Sequence, residues 1–144
     1  MRPQGFTLIE LLVALAILAI VSAIAVPIYT QYSIRTFRTD AQKDLMLCAQ
    51  GMERFASQNF TYAGAVGPGD DTGAVTDNIC DPSSINYDIT VEAADATAFT
   101  LRATPTGGSV VDDGLLEVDS TGARRWDKND DGDTEDADEA DWAH

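Results

Sequence analysis

The chain has 144 residues, room for one domain, and part of that length is an N-terminal apolar segment that cannot serve a water-soluble core. Its 24 Asp plus Glu against 9 Lys plus Arg give a formal net charge of −15, which opposes binding to phosphate backbones, because that affinity comes mainly from neutralising cations. Two cysteines, Cys48 and Cys80, are too few for a disulfide scaffold and lack the paired spacing of a zinc site; they leave room for one disulfide in an oxidising compartment.

The chain opens with MRPQG, whose Arg2 and initiating amine keep this end cytoplasmic by the positive-inside rule and send the rest outward. Residues 6–26 (FTLIELLVALAILAIVSAIAV) then carry a single charge, and at ~1.5 Å rise per residue such a helix spans roughly 30 Å, a bilayer core. A buried helix of a soluble protein, apolar on every face, would need a larger protein around it. An ordinary secretory signal peptide has a shorter apolar run ending at a small-residue cleavage site, whereas this run reaches Pro27 and continues into more helix-like sequence. Glu10 is the anomaly, since an acidic residue inside an apolar span costs roughly 2.5–3.5 kcal/mol on insertion scales. No cation lies within the span to pair with it. Cleavage between Gly5 and Phe6 would create a cationic amine at Phe6, able to neutralise the Glu10 carboxylate of a neighbouring subunit.

Gly5-Phe6-Thr7-Leu8-Ile9-Glu10, followed by an apolar helix and Pro27, resembles the class III leader junction of type IV pilins and pseudopilins. The resemblance implies that a prepilin peptidase cuts after Gly5 and methylates the new N-terminal Phe6, and that Glu10, fifth after the cut, serves assembly. Many major pilins have a glycine at the position of Ala19. Here Pro27 alone removes a backbone donor and can kink the helix.

Beyond the proline, Ile34, Phe37, Ala41, Leu45, Cys48, Met52 and Phe55 recur at steps of three and four, which predicts a helix with one apolar face. Arg35, Arg38, Asp40, Lys43 and Asp44 lie largely off that stripe and are expected to see solvent or neighbouring subunits. One helix is predicted from near Phe6 to about Ser57. The Gly, Pro, Asp and Thr after Asn59 are loop chemistry. Residues 86–92, 98–104 and 115–119 read as strands, and Asp119-Ser120-Thr121-Gly122 as a turn into residues 123–126. The fold class is α+β, a long N-terminal helix packed against a small antiparallel sheet of three or four strands, too small for an enzyme pocket of ordinary size. The expected organisation is a cleaved leader (1–5), a transmembrane and filament-core half of the helix (6–27), its amphipathic half (28–58), a connecting loop (59–84), the sheet (85–126) and an acidic C-terminal region (127–144).

The stretch LMLCAQGMERF at residues 45–55, then Tyr62, Asn86-Tyr87-Asp88-Ile89, Phe99-Thr100-Leu101 and Thr104-Pro105, is similar to the minor pilins of bacterial type IV pili. Such proteins often carry a Cys-Gly pair before the last strand. Asp113-Gly114 stands there in this chain, so that disulfide arrangement is not carried over. With Cys48 on the apolar helix face and Cys80 just ahead of the first strand, a Cys48–Cys80 bridge would tie the long loop to the helix and stabilise it by roughly 3–4 kcal/mol in the chain-entropy treatment. Two free buried thiols are the alternative.

Asp127, Asn129, Asp131, Asp133, Glu135 and Asp138 stand at the ligand positions of an EF-hand-type calcium loop, with Gly132 at the sharp turn. In that reading Asp127, Asn129 and Asp131 bind through side chains, Asp133 through its carbonyl, Glu135 directly or through water, and Asp138 from the closing position. Asp138 is shorter than the usual bidentate Glu, and no long helices flank the loop. The alternative is a solvated acidic tail whose spacing follows from its composition. Some pseudopilins are similar in using a C-terminal calcium site. Without a cation the carboxylates repel one another and the tail is expected to be disordered. Calcium is the one cofactor expected.

The resemblance implies a structural subunit, a minor pilin of a type IV pilus used for adhesion, twitching motility or DNA uptake. Its implied partners are prepilin peptidase, other pilin subunits, the inner membrane before assembly and the pilus assembly platform. The implied location is the inner membrane, single-pass with a periplasmic C-terminus, and then the extracellular pilus. A pseudopilin of a type II secretion system is the alternative. A DNA-binding competence pilin is the third reading; it would need a basic patch, and Arg102, Arg124, Arg125 and Lys128 sit in acidic surroundings. Nucleic acid is therefore not an expected partner. No nucleophile–base–acid set or phosphate-cradling glycine loop is visible, and no enzyme activity is expected.

Overall fold

The computed structural model describes residues 6–67, 69 and 71–142, in two compact units that divide between Ser33 and Ile34. One helix, α1 (Leu8–Asn59), contributes its first part to one unit and its second part to the other. Every residue from Phe6 to Tyr32 is exposed, although mean hydropathy within the helix reaches 2.9. Such a surface is at odds with water and suited to lipid or to other apolar helices. The helix continues to Asn59 through Pro27, which itself donates no backbone bond. The Thr30 and Ser33 hydroxyls donate to the carbonyls of Val26 and Tyr29, one turn back, at 3.1 and 3.0 Å, which hides their polarity inside the helix itself.

In the second unit α1 buries one stripe, Arg38, Ala41, Asp44, Leu45, Cys48, Gly51 and Met52, at the steps of three and four that align side chains on a helix face. Five strands follow in a simple antiparallel meander: β1 (Gly73–Ala74), β2 (Tyr87–Ala94), β3 (Phe99–Pro105), β4 (Leu116–Asp119) and β5 (Arg124–Trp126). Period-2 alternation puts Tyr87, Ile89 and Val91 of β2 and Phe99, Leu101 and Ala103 of β3 on the buried face. The registers Val91↔Leu101 and Leu101↔Val118 align those apolar rows across three strands. A register shift between Val91 and Ala93 marks a bulge near the end of β2. The rows join Ala41, Leu45, Cys48 and Met52 in one core cluster, each large aliphatic contributing about 1.5–3 kcal/mol by its removal from water.

The strand β1 lies inside the stretch read as loop. It is two residues long, too short to show an alternation, and forms because Gly73 and Ala74 fall opposite Val91 and Thr90 of β2. Two of the five polar residues expected to face solvent or neighbours do otherwise: Arg38 and Asp44 are buried, 6% and 5% exposed. Arg38 stands three residues before Ala41 and seven before Leu45, on the same face, and Asp44 one turn before Cys48. Each is buried with partners from outside the helix.

Candidate functional site

At the N-terminus Thr7 and Glu10 close a reciprocal cap. The Thr7 N–H and hydroxyl donate to Oε2 of Glu10 at 3.0 and 2.9 Å, and the Glu10 N–H donates to the Thr7 hydroxyl at 3.3 Å. This is the capping box, in which a Thr at the N-cap and a Glu three residues on satisfy amide groups that a helix end leaves free. Its Thr-x-x-Glu signature is readable in the sequence, yet the charge anomaly alone points Glu10 only to an intermolecular role. Three features follow one another here: Phe6, 90% exposed, then a carboxylate held at the helix start, then the exposed apolar surface. Gly5 lies outside the described residues.

In the unit that begins at Ile34 several ties fix loops to the helix. Cys48 and Cys80 form the disulfide, with Cα atoms 4.9 Å apart. One turn further along, Gly51 admits the backbone of Ile79 so closely that a Cβ there would overlap the Ile79 carbonyl. The Arg54 guanidinium donates to the carbonyls of Asn78 and Ile79, both at 3.1 Å. Asp44 then accepts the N–H groups of Ser83 and Ser84 at 2.9 and 2.7 Å, which explains why a carboxylate is tolerated under the loop.

A further tie is a buried polar cluster. Arg38 Nε donates to Asp113 at 2.8 Å and its Nη2 completes a two-pronged ion pair. The Tyr87 hydroxyl donates to the same carboxylate, and Arg38 stacks on Trp126 with its guanidinium carbon 3.7 Å from the ring centroid. The Trp126 indole N–H donates to the Asp113 carbonyl at 2.7 Å. Burial, together with the bond to Asp113, pushes the Tyr87 phenol well above its ordinary pKa. The following Gly114 has φ +71°, and a Cβ there would overlap the Asp127 carbonyl; glycine alone combines that backbone with that approach. The dipeptide Asp113-Gly114 thus joins helix, β2 and β5 by charge and hydrogen bonds.

On the sheet, Glu117 of β4 receives the Arg102 guanidinium at 3.0 and 2.8 Å and the Thr134 hydroxyl at 2.8 Å. Arg102 also pairs with Glu92 at 3.1 Å, and Arg125 with Asp119 at 2.6 Å. Burial opposes ionisation of Asp119, but the Thr121 hydroxyl, Arg125 and the N–H groups of Thr121 and Ala123 together hold its carboxyl below the usual range. Two of the four cations weighed as a basic patch, Arg102 and Arg125, are therefore committed to carboxylates of the same chain.

Within the acidic region two buried carboxylates gather the chain. Asp127, 1% exposed, accepts the N–H groups of Asp131 and Gly132 at 3.1 and 2.9 Å. Glu139, equally buried, accepts those of Lys128 and Asp136 at 3.1 and 3.3 Å, while its carbonyl accepts the Trp126 N–H. Short turns link Asn129 to Asp131, Asp131 to Asp133 and Asp133 to Glu135 through side-chain oxygens accepting the N–H two residues on. The Asn129 amide nitrogen is directed at Asp131 and Asp136. Among the described residues no three His, Cys, Asp or Glu side chains converge on a point that could hold a metal ion. Asp127, Asn129, Asp131, Asp133, Glu135 and Asp138, the expected ligands, all lie along this loop, with Gly132 at its turn at φ +96°. The segment expected to be disordered without a cation is closed by its own amides. Glu139, which does much of that closing, lacked any sequence signal, being one acid among many.

Comparison with known proteins places these features in a class. Residues 1–26 match the motif described as "Prokaryotic N-terminal methylation motif", and an apolar helix leading from it into an α+β headgroup is the build of a type IV pilin. Residues 27–114 match the family described as "Type IV minor pilin ComP, DNA uptake sequence receptor". The match covers more than half of the chain, which belongs to that family of type IV minor pilins. The chain is 34% identical over 62 residues to "Type IV major pilin protein PilA" of Myxococcus xanthus and 35% identical over 71 residues to "Type IV major pilin protein PilE" of Neisseria gonorrhoeae. Those stretches cover 43% and 49% of this chain but 28% and 40% of the relatives' lengths. The solved structure of the Neisseria meningitidis non-core minor pilin PilV superposes with a TM-score of 0.54 at 17% identity, covering 71% of this chain and 98% of that one. At that identity the likeness concerns the fold.

Proposed function

We propose that the chain is a structural subunit of a type IV pilus, a minor pilin that is processed by prepilin peptidase, held in the inner membrane by residues 6–27 with its headgroup in the periplasm, and then moved into the filament. The observation that carries this reading is the wholly exposed apolar surface from Phe6 to Tyr32, headed by a methylation motif and a helix-capping Glu10. A bilayer covers such a surface before assembly, and the apolar helices of other subunits cover it afterwards. Incorporation exchanges the Thr7 cap of Glu10 for the Phe6 amine of a neighbour. Adhesion and twitching are the activities such a pilus would serve, and the assembly platform is the machinery that would extract the subunit.

The DNA-receptor reading is weaker, because Arg38, Arg102 and Arg125 are paired within the chain and the formal charge is −15. Salt-dependent retention of DNA would favour it.

Sheared filaments from wild-type cells should contain the chain, and its deletion should reduce surface pili and twitching. Absence from filaments together with a defect in exoprotein secretion would replace this reading with a secretion pseudopilin. Glu10→Ala should leave membrane insertion intact and remove the chain from filaments. Normal filament content of that variant would sink the proposed role of Glu10.

A further inference from the structure

In the unit that ends at Ser33 the exposed helix surface changes character at one level. From Leu8 to Ile28 the only polar side chains are those of Glu10 and Ser22, and no aromatic ring occurs. Residues 29–33 then read Tyr-Thr-Gln-Tyr-Ser, and Gln31 is the first amide side chain of the helix. The surface suited to hydrocarbon therefore stops within this one turn. Tyr29 stands 21 residues beyond Leu8, roughly 31 Å along the helix at ~1.5 Å per residue, against about 30 Å for the hydrocarbon core of a bilayer.

Tyr29 and Tyr32 are both exposed and, three residues apart, share one side of the helix. With Val21, Ile24, Ala25 and Ile28 they line an open apolar groove of about 590 Å³. The short side chain of Ala25, one turn before Tyr29, opens the groove on the N-terminal side of the rings. A tyrosine has an apolar ring and a polar tip, which suits it to the level where acyl chains give way to water. In a dry seam between apolar helices each hydroxyl would need a partner to offset its burial. Two tyrosines placed where an aliphatic surface gives way to Thr30, Gln31 and Ser33 select a phospholipid boundary over such a seam.

We propose that Tyr29 and Tyr32 dock on the phospholipid surface at the periplasmic side of the bilayer, with acyl chains filling the groove beside them, and so fix the depth at which the subunit waits before assembly. This rests on the membrane-anchored pilin reading above. The tyrosines act as a depth stop, set by their position in the helix and not by its total apolar length.

Both cysteines of the chain are in the disulfide, so one introduced cysteine gives the only free thiol. Full-length chains carrying Ala23→Cys, Val26→Cys or Thr30→Cys, positions on the side of the helix away from the groove, are labelled with a nitroxide. They are reconstituted in phosphatidylethanolamine–phosphatidylglycerol vesicles, and depth is read from collision of the label with oxygen and with a water-soluble nickel chelate. Each is compared with a chain in which the tyrosines are exchanged with the residues one turn earlier: Ala25→Tyr, Tyr29→Ala, Ile28→Tyr and Tyr32→Ile. The exchange leaves composition unchanged and carries the aliphatic surface outward while moving the rings inward by four residues. A depth stop should bring all three labels about 6 Å nearer the water on the periplasmic side. Depths that stay the same or increase, whatever the exchange does to filament content, overturn this inference and leave the anchor reading standing. A wild-type chain that does not enter the vesicles overturns the anchor reading and this inference together.

Discussion

The two units of the chain solve opposite problems. From Phe6 to Tyr32 every residue is exposed, and the side-chain hydrogen bonds of Thr7, Glu10 and Thr30 reach three or four residues along the helix. From Ile34 onward the ties are long-range: Asp44 reaches 39 residues to Ser83, the disulfide spans 32, and Arg38 reaches 75 to Asp113. The first unit supplies a helix and leaves its burial to whatever surrounds it, lipid or other subunits. The second supplies its own surroundings. Damage to one should therefore spare the other. Glu10→Ala, which empties filaments of the chain, should leave headgroup melting unchanged, and a fall in Tm in that variant would break the comparison.

Within the headgroup the largest loss of stability is expected at Asp113. Asp113→Ala strands the buried Arg38 guanidinium and removes the acceptor of Tyr87, and breaking one partner of a buried pair costs about 3–5 kcal/mol. A thermal melt showing a loss under ~1 kcal/mol would mean that water reaches Arg38 and that the cluster does not hold the headgroup shut. Replacing Cys48 and Cys80 together by serine should cost about 3–4 kcal/mol through the freed loop. In that variant Arg54 still holds the carbonyls of Asn78 and Ile79 and Asp44 the N–H groups of Ser83 and Ser84, so native-state amide exchange should rise first between them, at residues 80 and 81.

These ties also show what a sequence can and cannot disclose. The helix, four of the five strands and the Asp119–Gly122 turn were legible because period and turn chemistry are local. The Cys48–Cys80 pairing was legible because helix period placed one cysteine on the buried face. The burial of Arg38 and Asp44 is not legible from local pattern, because the partners that make it tolerable, Asp113, Ser83 and Ser84, lie 39 to 75 residues away in the chain. The acidic loop shows the converse. Its oxygen donors have the spacing of a calcium loop, and the same local spacing lets Asp127 accept the N–H groups of Asp131 and Gly132, only four and five residues on. Glu10 combined both lessons, since its anomalous charge was legible and its use as a cap for Thr7 was overlooked.

The finest test of headgroup self-sufficiency is Tyr87→Phe. At neutral pH it removes one hydrogen bond to a charged acceptor, about 1.5–3 kcal/mol, less than the loss at Asp113 because the Arg38 pair survives. The sharper signature is in alkali. Burial and Asp113 hold the folded phenol protonated far above its usual range, whereas in the unfolded chain it ionises near pH ~10. Above that pH the unfolded chain releases a proton that the folded chain keeps, so the wild-type protein loses stability as pH rises. The variant lacks that term, so the gap in unfolding free energy between the two should shrink from about pH 9 upward, by roughly 1.4 kcal/mol for each further pH unit above the unfolded value. Parallel curves for wild type and variant would show that the Tyr87 hydroxyl titrates normally in the folded state, and with it that the cluster around Asp113 is open to water.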